Sequence, residues 1–65
     1  MHLQMKKYTI EVPYEWSSTY TNESTTEVEL YAKSEEQARG MAKRIVGDIA
    51  CVNSVGSTTI IDVEE

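Results

Sequence analysis

Sixty-five residues with 40% hydrophobic and 26% charged side chains describe one small globular domain, not a disordered chain. A net charge of −5 disfavours nucleic-acid binding, since phosphate contacts depend on Lys/Arg clusters. With one cysteine (Cys51) and one histidine (His2), neither an internal disulfide nor a zinc site of about four Cys/His ligands is available.

Residues 1–5 read as a frayed leader and residues 6–65 as a single domain. Lys6 and Lys7 precede Tyr-Thr-Ile-Glu, which is no apolar run, so no secretory signal is expected. No stretch approaches the ~20 apolar residues of a membrane helix. The unpaired cysteine fits a reducing cytoplasm.

Segment 8–16 alternates with period 2: Tyr8, Ile10, Val12, Tyr14 and Trp16 on one face, Thr9, Glu11, Pro13 and Glu15 on the other. A second strand alternates Val28, Leu30 and Ala32 against Glu27, Glu29, Tyr31 and Lys33. Directly opposed residues in an antiparallel pair share a face, so the even-numbered apolar sets must meet and the connecting loop must be odd in length. A three-residue turn at Thr21-Asn22-Glu23 pairs Tyr14 with Leu30, Trp16 with Val28 and Glu15 with Glu29; a five-residue loop places Glu15 opposite Glu27 instead. Asn22-Glu23-Ser24 also matches a glycosylation sequon, but it reads as part of this turn.

Ser34-Glu35-Glu36-Gln37 is a capping box that starts a helix, with two glutamates suited to the positive end of its dipole. Ala38, Met41, Ala42, Ile45, Val46 and Ile49 then form an apolar stripe at i, i+3, i+4, i+7, i+8 and i+11. The helix ends at Gly47 or runs on to about Cys51. Residues 53–57 read as a loop and 58–64 as the last strand, with Thr59, Ile61 and Val63 inward and Ile60, Asp62 and Glu64 outward. The fold class is α+β in ββαβ order, one amphipathic helix on a three-stranded antiparallel sheet of order 3-1-2. A right-handed crossover brings the last strand beside the first. Pro13 argues against a central first strand unless a bulge accommodates it.

Catalysis finds little support. Cys51 has no base nearby in sequence and reads as a small thiol, buried or half-buried, near the helix end. Gly40, Gly47 and Gly56 fit no phosphate-binding fingerprint. Arg39, Lys43 and Arg44 read as solvated dipole compensation, while Gly40 and Gly47 share an outward helix face open to close approach by a second chain.

The distinctive feature is the outer sheet face, where Glu11, Glu15, Glu27, Glu29, Asp62 and Glu64 gather against Lys33 alone. Alternate carboxylates along a strand sit ~6.6–6.8 Å apart, with strands ~4.8 Å apart. Nucleic acid presents negative charge at a similar pitch, ~3.4 Å of rise per nucleotide on each strand. The expectation is a non-enzymatic module, with no cofactor and no metal, whose acidic face binds a basic protein in the manner of a DNA mimic. It binds neither nucleic acid nor membrane directly. In size and charge the chain is similar in style to small phage-made inhibitors of host factors, a likeness that covers no particular residues. A homodimer is also expected, because no covalent or metal staple supports so small a core. The alternative function is an assembly module that oligomerises through a sheet edge or the Gly40/Gly47 face.

Overall fold

A computed structural model describes residues 4–65. Its elements are β1 (Lys6–Ser17), β2 (Thr21–Ala32), α1 (Glu35–Gly47), β3 (Val52–Val55) and β4 (Thr59–Glu64). Gln4 and Met5, the part of the expected leader that is described, precede β1 without regular structure; the rest of that leader lies outside the described residues. The fold is α+β, with one helix and an antiparallel sheet of four strands. The sheet order is β2-β1-β3, with β4 also on β1, so the three-stranded expectation is amended by one short strand. Residues 52–55, read as largely loop from sequence, pair with β1 near Tyr14 and Glu15.

Pro13 explains why the third position of the sheet holds two strands. The Pro13 carbonyl accepts from the Gly56 amide at 2.8 Å, so its main-chain groups point toward β3 and β4. That is the side on which proline has no N–H to offer. The connector 56–58 lies there, between β3 and β4, and β1 remains central because the ladder is interrupted where its donor is missing. Gly56 suits this crossing, since a Cβ on it would crowd Pro13 Cγ at 3.1 Å. The bulges fall elsewhere, between Glu15 and Trp16 against β3 and between Thr9 and Ile10 against β4. The second of these reverses part of the sequence expectation. Ile60 lies opposite Ile10 and packs on the core, whereas Ile61 is exposed.

The parity rule for the hairpin holds, but the turn lies earlier than expected. Lys6 pairs with Ala32 and Ser17 with Thr21, leaving Ser18, Thr19 and Tyr20 as a three-residue connection. Neither expected register occurs: Tyr14 faces Ser24, Trp16 faces Asn22 and Glu15 faces Glu23. The β-branched run Thr25-Thr26 and the preceding Thr21 favour extended backbone over a turn. The Asn22 amide bonds back to the Tyr20 carbonyl (2.9 Å), and the Trp16 indole donates to Ser24 Oγ (3.0 Å) across the diagonal.

Ser34 caps α1 as expected, its Oγ accepting from the Gln37 amide at 3.2 Å. Gln37 Oε1 reaches one residue further back than a capping box requires and accepts from the Lys33 amide at 2.7 Å. The helix ends at Gly47 with Asp48 as C-cap. The chain then turns through Cys51, whose φ of 79° is the only positive value outside glycine among the described residues. Cys51 is exposed, contrary to the buried or half-buried expectation, because this turn lies beyond the core.

One row of the apolar stripe makes the core. Ala38, Ala42 and Val46, spaced i, i+4, i+8, are buried over Tyr8, Ile10, Val12, Leu30 and Ala32. Two alanines in the contact row let the helix approach closely. The flanking row is not buried: Met41 is 38% exposed, Ile45 47% and Ile49 51%. Arg39 anchors the other flank: its guanidinium bonds the Thr58 carbonyl and hydroxyl at 2.6 and 3.1 Å, which holds that side of the helix against the β3–β4 connector and leaves Met41 and Ile45 on the opposite side, while Ile49 lies beyond the helix end. A methyl group at Gly40 would meet nothing within 4 Å, and one at Gly47 would meet Val55 at an ordinary 3.8 Å.

Val46→Ala is therefore expected to cost about 2–3 kcal/mol, by lost burial and an unfilled cavity. Ile45→Ala costs less than about 1 kcal/mol, in line with surface substitutions. Gly40→Ala adds about 0.5–1 kcal/mol of stability, since the site is open and its φ is ordinary. Urea melts of the three variants check the order; Ile45 outranking Val46 would contradict this packing of the helix.

Candidate protein-docking face

The outer sheet face is built by the odd-numbered residues of the hairpin. Odd main-chain groups of β1 point toward β3 and β4, as the Gly56–Pro13 and Ser17–Cys51 bonds show, so the even ones serve β2. Odd residues that face each other across β1 and β2 are consequently non-hydrogen-bonded pairs, the geometry with the closest side chains, Cα atoms ~4.5 Å apart. Glu11 lies opposite Glu27, and Glu15 opposite Glu23, in this narrow arrangement. On the other side Glu11 meets Thr59 and Glu15 meets Ser54. Glu29, Thr9 and Asp62 form the next row, and Tyr31, Lys7 and Glu64 the last.

All six carboxylates singled out from sequence thus lie on one face: Glu11, Glu15, Glu27, Glu29, Asp62 and Glu64. Two members were missed. Glu23 joins them because residues 21–23 are strand; continuing the odd–even alternation upstream of Glu27 would have found it. Lys7, rather than Lys33, is the cation of the face. Its Nζ lies 3.8 Å from both Glu29 and Glu64, bridging β2 to β4 across the central strand. Lys33 falls just beyond β2, where its amide serves the helix cap. Lys6 pairs with Glu65 at 3.8 Å.

Lys7 neutralises one end of the face only. The Glu11/Glu27 and Glu15/Glu23 pairs have no cation within ion-pair distance among the described residues. The Glu15/Glu23 pair borders a shallow open concavity of about 330 Å³ that Pro13, Thr25, Ser54 and Gly56 also line. The hollow lies where the third strand is interrupted, with the Gly56 connector in place of a strand beside Pro13. Among the described residues no group of three His, Cys, Asp or Glu side chains is placed to hold a metal ion. Among the described residues no helix is long and apolar enough to cross a membrane.

No protein-family model matches this chain, and neither the curated proteins nor the solved structures yield a significant match.

Opposed carboxylates at ~4.5–5.5 Å carry a like-charge cost of ~0.2–1 kcal/mol in a sheet. Glu15→Gln with Glu23→Gln is therefore expected to leave stability unchanged or raise it by a few tenths of a kcal/mol at low salt, with the gain shrinking as salt rises. Lys7→Met acts oppositely, lowering low-salt stability by less than about 1 kcal/mol. Thermal melts at two ionic strengths check both. A destabilised double variant would mean that these carboxylates hold the fold.

Proposed function

We propose that the protein is a non-enzymatic binding module whose outer sheet face receives a basic protein surface, and that it acts as a charge mimic of nucleic acid. The observation that carries this reading is the uncompensated run of paired carboxylates, Glu11/Glu27 and Glu15/Glu23, maintained in the closest cross-strand geometry. A merely solvated face gains nothing from like charges opposed at short range, and mixed signs would serve solubility without the repulsion. A rigid sheet fixes these charges in rows, so the field is preorganised for a basic partner and the partner is steered in from a distance.

The same field repels phosphate, which disfavours nucleic acid as a direct ligand. A nucleic-acid-binding protein is the natural target, since its groove is already shaped to accept a rigid array of negative charge. The setting proposed is the cytoplasm, including a host cytoplasm if the protein is phage-encoded; the exposed, unpaired Cys51 fits a reducing compartment.

The exposed apolar flank of Met41, Ile45 and Ile49 favours assembly as a second reading. A homodimer through that flank leaves the acidic face free. Sedimentation across a concentration series reads this directly: a 7.4 kDa species throughout removes the dimer.

For the leading reading, immobilised protein is expected to capture basic proteins that elute with salt and with competing double-stranded DNA. Neutralising Glu11, Glu15, Glu23 and Glu27 together to glutamine slows association at least ~10-fold at low salt, with little difference at high salt. Capture unaffected by either DNA or the fourfold variant would sink the mimicry.

A further inference from the structure

The hydrogen bonds that define the acidic face also fix which way β2 points. Its even-numbered residues are bonded to β1, so the amides and carbonyls of Thr21, Glu23, Thr25, Glu27, Glu29 and Tyr31 aim away from the sheet. No strand among the described residues lies beyond them. The opposite edge of the sheet is broken at 56–58 and bulged at Ile61, devices that discourage pairing. The β2 edge has none of these: it runs twelve residues without proline or bulge.

The two sides of this edge differ in chemistry. On the outer side stand Glu23, Glu27 and Glu29, all exposed. On the helix side, Val28 and Leu30 face the core that Ala38, Ala42 and Val46 of α1 cover. Helical geometry places the exposed flank. At 100° per residue Met41 and Ile45 lie on the side of Ala42 opposite Arg39, and Arg39 is tied to the β3–β4 connector. Met41 and Ile45 therefore project over the β2 edge, at 38% and 47% exposure.

We propose that the free edge of β2 accepts an extended segment of a partner as a further antiparallel strand, with alternating basic and apolar residues. The basic side chains lie beside Glu23, Glu27 and Glu29; the apolar ones enter the space under Met41 and Ile45. This rests on the reading of the outer face as a receiver of basic protein and specifies how that protein is held. Charge complementarity selects the occupant. β2 contains no lysine or arginine, so an antiparallel second copy centred on this edge brings glutamates close to glutamates, whereas a basic strand relieves the existing repulsion. Strand addition uses main-chain bonds for affinity and alternate side chains for specificity, which suits a surface whose pattern is alternation itself.

The test uses the whole chain and a capped peptide of alternating lysine and valine. In the proposed pairing, peptide residues directly opposite Glu23, Thr25, Glu27 and Glu29 carry the lysines and make the hydrogen bonds. N-methylation at lysine positions is expected to weaken binding about 10-fold or more, and at valine positions far less. Amide exchange at Thr25, Glu27 and Glu29 should slow on binding. Ile45→Ser, at an exposed position outside the acidic face, weakens binding several-fold while the melt stays near the parent's. Equal effects of the two methylated peptides, with no added protection on β2, would overturn strand addition while leaving a basic partner on the face intact. Absence of low-salt binding by either peptide, together with loss of basic-protein capture, would overturn both readings. Protection of the same amides that grows with protein concentration alone would assign the edge to a second copy and overturn the basic strand.

Discussion

Everything in this fold hangs on β1 being paired on both sides while carrying a proline. A central strand is the only place where Tyr8, Ile10 and Val12 can be covered from above by the helix and flanked by β2 and β4. Pro13 is compatible with that position only because its missing donor faces the connector between β3 and β4. The break in the outer strand, the close approach of Gly56 to Pro13 and the hollow beside Glu15 and Glu23 all accompany that single constraint.

The helix covers only part of the hairpin. Thirteen residues of helix span about 20 Å, whereas twelve-residue strands extend about 40 Å. The molecule is accordingly long, 51 × 18 × 14 Å, with a radius of gyration of 13.1 Å against the roughly 11 Å of a compact chain this size. The core is concentrated under α1, and the outer half of the hairpin is supported by β3 and by the Trp16–Ser24 bond. A thin, elongated sheet of this kind devotes most of its area to surface. The fold can thus display two long rows of carboxylates without a large core beneath them.

Stability and display oppose each other at the same residues. The narrow Glu11/Glu27 and Glu15/Glu23 pairs weaken the hairpin slightly, and Lys7 relieves repulsion only at the opposite end. Arg39 fastens one flank of α1 to Thr58 in the β3–β4 connector, while Met41 and Ile45 on the other flank stay exposed. The acidic rows run along β2, the one uninterrupted edge of the sheet among the described residues.

Local pattern was enough to determine the alternation of the strands, the Ser34 cap, the single helix and the gathering of six carboxylates on one face. Each depends on residues near in sequence, through period 2, period 3.6 or the reach of a cap. Parity even fixed which side of each hairpin strand faces inward. The turn position was beyond it, because every odd loop satisfies the same alternation; Trp16 bonding Ser24 and the strand character of Thr21–Thr26 select the one that forms. Sequence likewise could not separate Val46 from Ile45, since both belong to one helical stripe, and which flank lies against the sheet depends on long-range contacts such as the Arg39 bond to Thr58, nineteen positions away. The inward turn of Ile60 needed the bulge opposite Thr9 and Ile10, and the second short strand needed the gap at Pro13. These are long-range choices, made where main-chain donors and acceptors on separate strands must find partners.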